Sequence, residues 1–177
     1  VFAGFLMVEQ FGYSVDEIAL LFLLNATLNV FFARRIGRLI SRIGERNALL
    51  IEYSGLLLVF CGYARVETGS IAAALYVLDH LFFGLAISQK TYFQKIAAPE
   101  DIASTAGVSF TINHIAAVVI PVIFGLIWLK SHALVFYLGA GMAVISLLLS
   151  ALIPRVPGQG RETCLTTKNV TINSDRT

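Results

Sequence analysis

The sequence predicts an all-α membrane protein, a polytopic helical bundle with five complete transmembrane helices and one partial one. Three observations carry that prediction. Hydrophobic side chains make up 57% of the 177 residues and charged ones only 14%, with a mean hydropathy of +0.79; soluble domains carry roughly 25% charge. The apolar residues also gather in runs of about twenty, the length that carries a helix across about 30 Å of hydrocarbon at about 1.5 Å per residue. Between the runs stand clusters of charge or turn residues. A net charge of +2, scattered among apolar runs, argues against a nucleic-acid partner. Two cysteines, Cys61 in an apolar run and Cys164 in a polar segment, offer neither a disulfide framework nor the paired spacing of a zinc site. No metal or cofactor is expected.

The runs, taken in order, are a partial span from Val1 to Phe11, ended by Gly12, then Asp16 to Ala33, Ala48 to Ala64, Ser70 to Gln89, Ile102 to Leu129 and Ala133 to Ile153. The opening at Val1, inside apolar sequence and without a basic leader, is the pattern expected of part of a longer protein. Ser14-Val15-Asp16-Glu17 has the spacing in which a serine oxygen and a glutamate satisfy free N–H groups at a helix start. Ile102 to Leu129 exceeds a minimal crossing and holds Pro121, whose ring removes one backbone hydrogen bond, so a tilted or bent helix is expected there. Residues 1–153 are read as the half-bundle. After Ile153 the run Pro154 to Gly160 breaks the helix, and residues 154–177 read as a disordered cytoplasmic tail. Its Asn169-Val170-Thr171 matches a glycosylation triplet, which matters only on the translocated side.

Basic residues set the orientation, because short loops rich in Lys and Arg stay cytoplasmic. Eleven of the thirteen lie in alternate connections and the tail, beginning with Arg34, Arg35, Arg38, Arg42 and Arg46; only Arg65 and Lys130 fall on the other side. The protein is expected to be multi-pass in the cell (inner) membrane with the tail inside. Membrane lipid is an implied partner.

The most specific pattern is Gly37-x-Leu39-x-x-Arg42-x-Gly44-x-Arg46. Glycines seven apart permit tight turns and close packing, and the arginines can donate to helix carbonyls, carboxylates or lipid phosphates. The segment resembles the loop signature of the major facilitator superfamily, G-x-L-x-D-R-x-G-R-R/K. That resemblance implies that the spans are helices seven to twelve of a transporter, the seventh truncated, and that an N-terminal half of the same chain is missing. The segment Pro99-Glu100-Asp101 and the later Pro121-x-x-x-Gly125 also resemble the eleventh helix of the family. The usual acid is Ser41 here, so the charge network implied by the resemblance must lack its acid or use another, such as Glu45.

Ionisable groups inside spans cost roughly 2.5–3.5 kcal/mol on insertion scales and usually face protein or water. Asp79 lies nine residues after Ser70 and ten before Gln89, near mid-membrane, and is the leading site candidate. His80 and His114 are at similar depth. Adjacent residues on a helix diverge by about 100°, so a relay from Asp79 is expected to use His114 rather than His80. Asn25 and Asn29, four apart, share a face and suit substrate contact or interhelical bonding. The competing reading of each residue is a packed, hydrogen-bonded structural group. Glu52, about five residues into its span, is expected to reach the interface as a solvated or Arg-paired acid, and the aromatic residues mostly suit lipid-facing surface and interfacial anchoring.

Together these readings predict secondary active transport of a small solute, proton-coupled and by alternating access, rather than an enzyme. No G-x-x-x-x-G-K-[ST] nucleotide loop occurs, so an ion or solute gradient would drive it. The alternatives are a membrane enzyme or metal site using Asp79, His80 and His114, and a non-transporting scaffold or sensor.

Overall fold

A computed structural model describes residues 1–165. Its helices are α1 (Phe2–Phe11), α2 (Val15–Ile43), α3 (Glu45–Tyr63), α4 (Gly69–Phe83), α5 (Ile87–Ile96), α6 (Asp101–Trp128) and α7 (His132–Ala151), with a 3₁₀ turn, Gly84–Ala86, joining α4 to α5. Among the described residues there is no strand, and α4, the 3₁₀ turn and α5 make one rod of 28 residues. The expected helix start is present: Glu17 N–H donates to Ser14 Oγ at 3.2 Å, and Ser14 N–H donates to Glu17 Oε2 at 2.8 Å.

Among the described residues four helices are long and apolar enough to cross a membrane: α2, the α4–α5 rod, α6 and α7. The expected fifth, α3, has 19 residues but carries Glu45, Arg46 and Glu52 and falls outside that set. A second difference concerns α2. The helix does not stop at Ala33; it runs 29 residues to Ile43, about 43 Å. Arg34, Arg35, Arg38 and Arg42 therefore lie on a helix rather than in a loop. Gly37 is correspondingly a helix residue, not a turn, and a methyl group there would meet nothing within 4 Å. Gly44, with φ +82°, is the turn between α2 and α3, in a conformation that side-chain-bearing residues rarely adopt.

The centre of the bundle is α3. It packs on α7, α4, α2 and α5, and its buried residues, from Ala48 through Glu52, Gly55 and Val59 to Tyr63, follow the three- and four-residue spacing of one helix face. At Gly55 a Cβ would sit 2.5 Å from the ring of Phe82, so the missing side chain sets how closely α3 and α4 approach. A cluster including Met7, Tyr63, Tyr76, Trp128, Val135 and Phe136 fills the middle. Tyr63, Tyr76, Trp128 and Phe136 are thus core residues and not lipid-facing anchors as expected, although Phe22, Phe31, Phe83 and Phe110 do stay exposed. The short α1 is tied at its end: Trp128 Nε1 donates to Glu9 Oε2 at 2.6 Å, and Gln10 Nε2 meets His132 Nε2 at 2.6 Å. By contrast α6 packs mainly along α7, and Pro121 lies inside it without interrupting it.

Of the expected tail, residues 154–165 are described. They return to the bundle through Tyr92 Oη donating to the Glu162 carbonyl at 2.5 Å, Gln159 Nε2 to the Ala97 carbonyl at 3.2 Å, and Cys164 N–H to the Leu152 carbonyl at 2.9 Å. Residues 166–177, with the Asn169 triplet, lie outside the described residues.

Candidate functional site

Asp79 occupies α4 ten residues beyond Gly69, about 15 Å along the helix and so about half the hydrocarbon thickness from its start. It is about a quarter exposed, and its Oδ2 lies 3.8 Å from His80 Nδ1. The expectation that the two cannot face each other is therefore corrected: their side chains bend toward each other far enough for a loose contact. What orients His80 is one turn back, where the Tyr76 carbonyl lies 3.0 Å from the same Nδ1 and the two rings stand 4.5 Å apart. Tyr63 and Tyr76, both buried, lie within electrostatic range of Asp79. Among the described residues the Tyr63 hydroxyl has no hydrogen-bond partner.

A further wall beside these residues comes from α2, which packs on α4. Phe22 meets the Tyr76 ring edge-on at 5.7 Å, and Ile36 and Asn29 stand over Gly84, where a Cβ would be 2.9 Å from Ile36 Cδ1 and 3.7 Å from Asn29 Oδ1. Asn25 lies between these contacts on α2, as Asp79 and His80 do on α4. It is 3% exposed, and neither its Oδ1 nor its Nδ2 finds a partner among the described residues. A buried amide without hydrogen bonds is costly, which makes it the group in this cluster most in need of a water or solute atom. Asn29 is exposed.

His114 is not brought to Asp79. It is exposed on α6, with its Nδ1 2.9 Å from the Phe110 carbonyl of its own helix. Among the described residues no three of His, Cys, Asp and Glu converge as metal ligands would. The clearest grooves lie elsewhere, one along Arg35, Arg38, Leu39 and Arg42, another between α3, α5 and α7 beside Tyr53, Gln89, Tyr92 and Ser150.

The signature segment is split by the structure. Leu39 and Arg42 are exposed on the last turns of α2, and Arg46 is partly buried on α3 with its Nε unpartnered. Glu45, 5% exposed, pairs with Lys95 Nζ of α5 at 2.5 Å, so the alternative acid bonds across the bundle rather than to Arg42. Ser41 donates to the Arg38 carbonyl at 2.9 Å. Glu52 is the clearest correction: it is 3% exposed, not at the interface, and its Oε2 has no partner. Its position about one turn before Gly55 puts it on the buried side of α3. The signal that could have located it is the shared spacing of Glu45, Leu49 and Glu52 with Gly55 and Val59.

Helices of membrane length, with a carboxyl, an imidazole and two phenols near one another on α3 and α4, define the class: a polytopic helical membrane protein. The comparisons agree. A family model described as Major Facilitator Superfamily matches residues 1–121, and an uncharacterized MFS-type transporter of Methanocaldococcus jannaschii is 30% identical over 152 residues, covering 81% of this chain. The chain belongs to the Major Facilitator Superfamily and is an integral, multi-pass membrane protein. It spans 38% of the length of that relative. No solved structure matches the chain significantly.

Proposed function

We propose that the protein is a secondary active transporter moving a small solute by alternating access, that this chain supplies its C-terminal half, helices seven to twelve, and that Asp79 is the proton-coupling residue. The observation that carries the reading is Asp79 itself: an acid about 15 Å into a membrane helix, in loose contact with His80 and within electrostatic range of Tyr63 and Tyr76. A carboxyl at that depth is costly unless a proton, a partner or water satisfies it. One whose surroundings change between two conformations therefore takes up and releases a proton. Alternating access in this superfamily is a rocking of paired halves about a midplane site, so the missing half would supply the facing wall. The bias of basic residues supports a cytoplasmic position for the arginine end of α2, in a protein of the cell (inner) membrane.

The test uses the full-length protein in proteoliposomes with an imposed pH gradient and a panel of radiolabelled solutes. Asp79→Asn, which keeps size and hydrogen bonding but cannot titrate, should abolish gradient-driven accumulation while leaving counterflow. Wild-type accumulation by that variant, normalised to folded protein, overturns the assignment.

A further inference from the structure

We propose that Glu52 and Ser88 form a buried proton-binding site, separate from Asp79, in the seam between α3 and α5, and that the proton held there keeps the seam closed. The groups concerned are enclosed by this half alone, and the inference holds whether or not Asp79 couples transport to protons.

Contacts along the seam run in reverse order: Gly62 lies against Leu75, Gly55 against Phe82, Tyr53 Oη accepts from Gln89 Nε2 at 3.0 Å, and Glu45 pairs with Lys95. The α4–α5 rod is therefore antiparallel to α3. Stepping back one residue on each of two antiparallel helices turns both side chains by about 100° toward the same side of their contact. Glu52 and Ser88 each precede a member of the Tyr53–Gln89 bond, so they share one side of it. Burial identifies that side as the inner one, because Glu52 is 3% and Ser88 0% exposed while Gln89 is exposed. About one turn before each of them, Ala48 and Leu85 cluster with Ile40 of α2 and close the interior there.

Glu52 Oε2 and Ser88 Oγ are both cut off from solvent, and among the described residues neither has a hydrogen-bond partner. Atoms that this half already encloses are out of reach of the missing half. Ser88 differs from Thr27, Thr91, Thr111 and Ser150, whose hydroxyls donate to carbonyls of their own helices. Among the described residues no cation neutralises the carboxyl. On α5, Lys95 is paired with Glu45 and Lys90 is exposed; on α2, Arg38 and Arg42 are exposed. Asp79 and His80 of α4 stand nine and eight residues before Ser88, beyond the 3₁₀ turn, and α7 carries only His132 and Tyr137, in its first two turns. On α3 itself Tyr53 is within electrostatic range, and Arg46 lies six residues back, about 9 Å along the helix and about 120° around it. A carboxylate sealed from water without a cation is far less stable there than the neutral acid. The packing therefore fits the acid, whose O–H has Ser88 Oγ as its acceptor. Release of the proton to water leaves a bare charge, which is relieved when the seam opens at its two ties, Tyr53–Gln89 and Glu45–Lys95.

The experiment records infrared difference spectra of the full-length protein in phosphatidylcholine nanodiscs as the buffer is taken from acid to alkaline. A protonated-carboxyl band should persist at neutral pH, disappear in alkali, be absent from Glu52→Gln and remain in Asp79→Asn. In a background lacking Cys61 and Cys164, pyrene labels on Asn47→Cys and Gln94→Cys, exposed on α3 and α5 beside the Glu45–Lys95 pair, read the seam. Their excimer emission should fall by about half as the band is lost and stay constant with pH in Glu52→Gln. Should that variant not fold, Ser88→Ala takes its place: without its acceptor the acid's carbonyl band should move to higher frequency, and an unmoved band overturns the site. A Glu52 already ionised at neutral pH overturns the proposal, including one whose carboxylate band responds to sodium rather than to pH. So does a band that Asp79→Asn also removes, or excimer emission that ignores pH in the native sequence or follows it equally in Glu52→Gln.

Discussion

Helices α3 and α6 sit in one bundle and follow opposite rules. The most apolar of the membrane-length helices, α6, buries only Trp128 of its 28 residues. With three charged residues in its first eight, α3 buries seven of nineteen, two of them glutamates. In water the order would be reversed. In a bilayer the solvent is hydrocarbon, so an apolar helix is content at the surface and polar residues are what require protein around them. Their polar groups are also satisfied differently. On α6, Ser104, Thr111 and His114 turn to carbonyls of their own helix, whereas from α3 Glu45 reaches Lys95 and Tyr53 accepts from Gln89 Nε2 at 3.0 Å. One helix closes its polar groups on itself; the other uses them to hold neighbours.

The same glycine change in the two helices should break this contrast most visibly. Gly55→Ala forces a methyl group into the Phe82 ring and should cost about 3 kcal/mol, the upper part of the range for overpacking. Gly125→Ala on α6 meets nothing within 4 Å and should be neutral or stabilising by up to about 1 kcal/mol. Unfolding of the full-length protein in mixed micelles measures both, and equal losses would show that α6 is packed as tightly as α3.

A smaller effect is expected from charge. Lys95→Met leaves Glu45 buried without its cation and should cost about 2 kcal/mol, below the range for fully buried pairs because Lys95 is half exposed. Lys130→Met, after α6, should change unfolding by less than about 0.5 kcal/mol. If both changes are silent, Glu45 has another partner. The finest distinction is a single hydrogen bond: Tyr53→Phe removes one between helices and should cost about 0.6 kcal/mol, while Thr111→Val removes one within α6 and should cost nothing measurable. A Thr111→Val loss equal to that of Tyr53→Phe would place the α6 hydroxyl against another element.

Apolar run length located every helix except α5, and the Ser14–Glu17 spacing fixed one start, because hydrophobic thickness and capping are local constraints. The ends were less legible. Composition changes where a helix leaves hydrocarbon, not where it stops, so α2 continues past Ala33 to Ile43 and α4 passes through a 3₁₀ turn into α5 as far as Ile96. Of the site, Asp79, His80 and Asn25 could be read from polarity and depth. His114 matched them in depth yet sits on a helix that turns elsewhere, since depth says nothing about azimuth. Tyr63 and Tyr76 escaped notice, and Glu52 was read as an interfacial acid, because their burial depends on which neighbours α3 and α4 meet.

The 3₁₀ turn at Gly84–Ala86 acts as a phase shifter. Three residues wound at three per turn instead of 3.6 advance everything beyond them by about 60° and lengthen the rod by about 1.5 Å. Gln89 and Lys95 lie on the advanced side, bonded to Tyr53 and Glu45. Relaxing the turn to regular α-helix would swing both donors off the α3 face together. The overwound turn and those two bonds therefore hold one another in register, and the azimuth of α5 is tied to that of Asp79, five residues upstream of the winding change.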